Sequence, residues 1–133
     1  MFRIKYCREV VLKMLYQLDV LNPDEEERAR ILQDNLDFFK GLNPRERKFV
    51  MDMVDRVQEE KKKIDEMIAQ NLIGWKLERL MLIDRNLLRM GIAESYFNDQ
   101  KAIIIDDVVR MAKKYGGEES FKIINAILDR VLQ

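Results

Sequence analysis

The sequence predicts an all-α protein of about seven helices, on three observations. Apolar residues recur at spacings of three and four through most of the chain, the period of a helix that buries one face. Glycine (5) and proline (2) are scarce in the 133 residues, as helices require. The one β-branched run, Ala102-Ile103-Ile104-Ile105, has no second strand-like segment to pair with.

Ile4, Cys7, Val11, Met14, Leu15 and Leu18 form the first apolar stripe, with Arg3, Lys5, Arg8, Lys13 and Asp19 on the other face. Asn22-Pro23 ends that helix, because the residue before proline avoids the helical region. Asp24 reads as the cap of a second helix, closed by Glu27 three residues on. Its stripe is Leu32, Leu36 and Phe39, widened by Ile31 and Phe38, and Gly41 supplies a left-handed end. Asn43-Pro44-Arg45-Glu46 is a stronger start signal: Asn43 caps, Pro44 takes the first helical position and Glu46 closes back on the cap. The third helix reaches about Asn71, roughly 40 Å. Its middle, Gln58 to Lys63, is fully polar, which predicts projection into solvent or a bend.

Gly74-Trp75 breaks the pattern. A short amphipathic piece, Leu77 to Leu82, precedes a helix from about Asp84 to Phe97. Ala102 to Tyr115 reads as a helix through Ile105, Val108, Val109 and Ala112, and Gly116-Gly117 ends it. Ser120 is the expected cap of a last helix carrying Phe121, Ile124, Ile127, Leu128 and Val131. Connections are short and no linker stands out, so residues 1–133 read as one domain.

Composition excludes much. There is no histidine, the commonest base and metal ligand, and only one cysteine. No phosphate-binding glycine loop, nucleophile elbow or kinase signature occurs. Neither an enzyme, nor a metal site, nor a cofactor is expected. Asp106 and Asp107 point about 100° apart on a helix and do not converge, so one solvated and one paired carboxylate is expected. Met14, Met53 and Met67 lie on apolar stripes as core fillers. Lys61-Lys62-Lys63 sits among acids and fits intrahelical pairs on a solvated face. Cys7 reads as a small buried hydrophobe and Trp75 as a packing anchor. There is no signal segment and no apolar run of membrane-spanning length, so no membrane is expected and the chain reads as cytoplasmic.

Lys+Arg and Asp+Glu both number 24, a formal charge of zero. A whole-surface polyanion binder would be basic; a local patch is still allowed. Arg3, Lys5 and Arg8 make one. They stand near a helix N-terminus, where cations oppose the macrodipole, so folding alone offers little reason for them. Tyr6 and Tyr16 add aromatic faces, the combination that binds single-stranded RNA.

Several segments in order resemble the NusB family of transcription antitermination proteins. Arg8-Glu9 followed by Leu15-Tyr16 is similar to its opening helix. Trp75-Lys76-Leu77-Glu78-Arg79-Leu80, leading into Ile83-Asp84-Arg85-Asn86-Leu87-Leu88-Arg89-Met90, is similar to its central element. Ile105 to Gly116 resembles the penultimate helix, and Glu119-Ser120-Phe121-Lys122-Ile123-Ile124-Asn125-Ala126-Ile127-Leu128-Asp129 the terminal motif. Residues 23 to about 63 match only in helix pattern.

The resemblance implies a NusB-like fold of two packed helical bundles, an N-terminal lobe of about 1–72 and a C-terminal lobe of about 75–133. It implies a non-catalytic factor that binds boxA-type RNA of ribosomal RNA operons together with NusE, a small-subunit ribosomal protein. RNA polymerase would be reached indirectly, and a homodimer stays open. By resemblance, RNA would be met by Arg3, Lys5, Arg8, Tyr16, Lys122, Ile123 and Asn125, and NusE by Asp84, Glu78 and Glu119. Three departures stand out: the basic run is thinned by Ile4, Tyr6 and Cys7, Ile123 replaces the usual Phe, and Ala126 replaces the following Gly. A helical protein–protein adaptor without RNA contact is the alternative. A targeting module of an RNA-modifying enzyme is disfavoured because the chain ends at Gln133.

Overall fold

In the computed structural model, residues 1–38, 41–74 and 76–132 are described. Six α-helices occur among them: α1 (Ile4–Leu21), α2 (Glu25–Phe38), α3 (Pro44–Gln70), α4 (Leu82–Ser95), α5 (Lys101–Tyr115) and α6 (Ser120–Leu132). The expected seventh, the piece from Leu77 to Leu82, is a single 3-10 turn, Leu77–Arg79. It has too few residues to offset helix nucleation. Phe39, Trp75 and the side chain of Phe38, to which the sequence assigns packing roles, lie outside the described residues.

The helix ends follow local chemistry. Asn22 closes α1 in the left-handed region at φ 44°, and its N–H returns to the Leu18 carbonyl. Asp24 Oδ1 accepts from the Glu27 N–H at 2.8 Å, heading α2. At α3 the capping box is complete: Glu46 N–H donates to Asn43 Oδ1 at 2.9 Å and Asn43 N–H donates to Glu46 Oε1 at 3.0 Å. Ser120 departs from expectation. It is the first residue of α6, and its hydroxyl accepts from the Gly117 N–H at 2.9 Å and donates to Asp84 Oδ2 at 2.9 Å.

α4 packs on α1, α3, α5 and α6, so it joins the N-terminal helices to the C-terminal pair in one core. Gly91 permits that approach: a Cβ there would stand 3.4 Å from side-chain carbons of Leu128 and Val108. α3 runs unbroken through its polar middle. Val57 and Ile64 on either side are buried, and Lys61 reaches across to Asp19 of α1 at 2.9 Å, in place of the intrahelical pair the sequence suggests. Arg89 of α4 donates to both Asp65 oxygens, at 2.8 and 3.0 Å, and to Asp19 at 2.8 Å, tying α1, α3 and α4 together. Cys7 is buried, and burial pushes its thiol up to about 11. No described helix is long and apolar enough to cross a membrane.

Candidate nucleic-acid interface

The three N-terminal cations part company. Arg8 is 1% exposed. Its Nε and Nη2 donate to the two Glu94 oxygens at 2.8 and 2.6 Å, and its Nη1 to Asp107 Oδ2 at 2.9 Å. The expectation that Arg8 holds phosphate is therefore corrected: two buried carboxylates occupy the guanidinium fork, away from solvent.

Arg3 is half-committed. Its backbone N–H and Nε both donate to Glu46 Oε2 at 2.9 Å, and Nη2 donates to Glu46 Oε1 at 2.9 Å and to the Gly41 carbonyl at 2.6 Å. Its guanidinium lies 4.9 Å from the Tyr6 ring centroid. α1 has no acid in its first turn; Glu46 of α3 brings one there, which offsets the helix dipole and Arg3 together. Folding thus has a use for both arginines, contrary to the sequence reading. Lys5 is exposed.

A different polar surface forms where α1 meets the end of α5. Lys5, Glu9 and Lys13 follow at steps of four, on one helix face. Glu9 accepts from Lys114 Nζ at 2.8 Å, from Arg110 Nη1 at 3.2 Å and from the Tyr115 hydroxyl. Burial pushes the Glu9 carboxyl up, but these hydrogen bonds outweigh it and hold it down at about 2. Lys114 and Lys13 lie 5.1 and 6.0 Å from the Tyr115 ring centroid. Tyr16, 40% exposed, faces with Tyr115 into one cleft.

Beside it, a groove between α5 and α6 brings together Arg110, Lys113, Phe121, Lys122 and Asn125. Lys113 and Lys122 lie 4.9 and 5.9 Å from the Phe121 ring centroid. Lys122 and Asn125 thus share a site, while Ile123 lines the other side of α6 with Leu72 and Leu80. The ring missing at Ile123 is present at Phe121. Asp106 is exposed on this groove, whereas Asp107 is buried and also accepts from Arg110 Nε at 2.6 Å; the sequence expectation for that pair holds.

The acidic candidates do not form one patch. Asp84 is 5% exposed, one oxygen bonded to Ser120 and the other, Oδ1, buried without a partner. Burial raises its carboxyl above the usual range, more than the Ser120 bond lowers it. Asp84 as a direct partner contact is corrected on that ground: its carboxylate turns inward to the start of α6. Glu119 is exposed and pairs with Lys122 at 3.1 Å. Glu78 is exposed on the 3-10 turn, beside Lys62 and Glu66 of α3.

Sequence reasoning missed Lys13, Lys113, Lys114, Tyr115 and Phe121 as site residues. The step of four from Lys5 to Lys13 and the Lys-Lys-Tyr end of α5 were the available signals. Among the described residues, no group of three or more His, Cys, Asp or Glu could hold a metal.

The family model described as NusB family matches residues 6–133. The transcription antitermination protein NusB of a Nitratiruptor species is 34% identical over 126 residues, 94% of this chain and 88% of the relative. The T. maritima NusB structure superposes with a TM-score of 0.83 at 27% identity, covering 96% of this chain and 89% of that one. A crystal structure of antitermination factors NusB and NusE in complex with dsRNA shares the fold, with a TM-score of 0.87 at 24% identity over 99% and 98% of the two chains. With 128 of its 133 residues (6 to 133) inside the family match, the chain belongs to the NusB family of transcription antitermination proteins.

Proposed function

We propose that this protein acts in transcription antitermination by binding boxA-type single-stranded RNA of ribosomal RNA operons jointly with NusE, in the cytoplasm and without catalysis. One observation supports the RNA reading above others. Lys13, Lys114, Tyr115 and Tyr16 meet where α1 adjoins the end of α5, putting ammonium groups beside phenol rings. Ammonium groups hold phosphates and rings stack bases, which suits a single strand. Lys5 extends the strip along α1, and Lys122, Asn125 and Phe121 extend it across α6. Exposed Glu119 and Glu78 are left for NusE, with Asp84 fixing the start of α6 from beneath. RNA polymerase is reached through other factors.

Because so many cations are tied to carboxylates, RNA alone binds weakly. Two modest contacts joined on one strand give a tighter ternary complex. Titration of a labelled boxA-like RNA tests this, alone and with NusE. Tightening on addition of NusE is expected. RNA binding that is absent under both conditions overturns the reading. A protein–protein adaptor with little RNA contact is the second reading, and the burial of Arg8 with Glu94 and Asp107 favours it; NusE binding with no RNA in the complex would be its signature.

A further inference from the structure

The outer face of α3 carries cations and rings that the α1–α5 interface does not use. Arg45, Phe49, Arg56 and Lys63 follow at steps of four, seven and seven, so they share one helix face. Arg45 and Lys63 stand about 27 Å apart along it. The Arg45 guanidinium lies 5.4 Å from the Phe2 ring centroid. Phe2 and Phe97 both meet Phe49 edge to face, at centroid distances of 5.5 and 6.4 Å. Farther along, Arg56 and Lys63 lie 6.0 and 5.8 Å from the Tyr96 ring centroid. The Tyr96 hydroxyl donates to the Met67 sulfur at 3.7 Å, which fixes the ring. Phe97 is 48% exposed and Tyr96 36%, so folding gains only part of what burying either ring would give.

Arg45, Arg56 and Lys63 differ from Arg3 and Arg8 in what they touch. Their contacts are ring faces, and among the described residues none of the three makes an ion pair. The acids of this face are Asp52, paired with Lys48 at 2.7 Å, and Glu59 and Glu60 between Arg56 and Lys63. Burial, then the charge of Glu60, raises the Tyr96 hydroxyl. A cation over a ring keeps N–H donors for a phosphate, and an exposed ring offers a surface for stacking. Positive charge and flat apolar surface alternate along the line, as phosphate and base do along a single strand. A duplex stacks its bases inside and would leave Tyr96 and Phe97 idle. An acidic peptide would use the cations and not the rings. Phe2 precedes Arg3 at the start of α1, so the line begins where the α1 strip carrying Lys5 ends. We propose that the outer face of α3, with the end of α4, is a second track for the same RNA strand. It takes nucleotides beyond the α1–α5 interface, their phosphates at Arg45, Arg56 and Lys63 and their bases against Phe97 and Tyr96. The track presupposes the RNA-binding reading above and lengthens the bound segment.

The test uses the full chain with NusE and a nested series of single-stranded RNAs: a boxA-like core alone, and the core lengthened at either end. Lengthening at one end is expected to raise affinity about tenfold and to steepen the salt slope by about 2, from three phosphates at about 0.7 each. Arg56→Gln combined with Lys63→Gln should abolish that gain and most of the added slope. Tyr96→Leu should abolish the gain and Tyr96→Phe keep it. All of these variants should bind the core RNA as the parent does, which shows that they fold. Equal affinity for core and lengthened RNAs overturns the track while RNA binding stands. So does a gain that survives both the double variant and Tyr96→Leu, or one that survives when the extension is made double-stranded. Loss of NusE binding in these variants with the RNA length profile intact assigns the face to the protein partner and also overturns the track. Core RNA that never binds overturns both readings together.

Discussion

Lys5 and Arg8 stand less than one helical turn apart on α1, and their surroundings differ completely. Lys5 is exposed, whereas Arg8 is 1% exposed and bonded to Glu94 and Asp107. Residues three apart still differ by about 60° around a helix, enough to move a side chain from the solvent edge to the α4–α5 seam. Where two carboxylates face a guanidinium inside the core, the cation belongs to the fold. Where none does, it is available to a phosphate. Arg3 is intermediate, sharing Glu46 with the cap of α3 while its side chain stays 41% exposed.

The comparison breaks most readily at its buried end. Arg8→Ala strands Glu94 and Asp107 and is expected to cost about 3–5 kcal/mol, measured by urea unfolding. A loss under about 1 kcal/mol would mean that the buried pairs carry little of the fold. Ser120→Ala removes a donor to the buried Asp84 carboxylate and an acceptor for Gly117, an expected loss of about 1–3 kcal/mol in the same measurement.

Protonation should separate the regions next. The Arg3 hydrogen bond, then the Asn43 N–H, hold the Glu46 carboxyl at about 2, below its usual 4.5. A folded value below the unfolded one means stabilisation that is complete above about 4.5 and lost as pH falls toward 2. Glu9 behaves alike. Asp84 has the opposite sign: raised by burial, it favours the fold most at low pH and less as pH rises. The urea midpoint should therefore fall on acidification, less steeply in Glu46→Gln and more steeply in Asp84→Asn. Equal slopes in all three proteins would contradict the assignment.

The smallest effect on folding belongs to the exposed end. Lys5→Gln and Lys13→Gln should each change stability by under about 0.5 kcal/mol. Each should also reduce the salt slope of RNA binding by about 0.7, read from titrations at several salt concentrations. An unchanged slope would remove α1 from the phosphate path.

Much of the fold was legible because its signals are local. Apolar period, Asn22-Pro23, the Asn43 capping box and Gly116-Gly117 act within a few residues of where they are written. The piece from Leu77 to Leu82 misled because apolar spacing alone does not say whether a helix is long enough to nucleate. The family was legible as an ordered series of motifs. The site was only partly so. Tyr16, Lys5, Lys122 and Asn125 lie on open surface as expected, whereas Arg8 and Asp84 turn inward and Ile123 faces away from its neighbours.

The chain by itself determined helix placement, helix ends and the absence of histidine chemistry, since each follows from residue type and spacing. Which charges reach solvent was decided only when α4 and α5 packed on α1. Glu94 and Asp107 are 86 and 99 residues from Arg8 along the chain, and no local pattern records that they meet it. Coulombic pairing depends on distance in space, and distances of that kind exist only in the packed molecule.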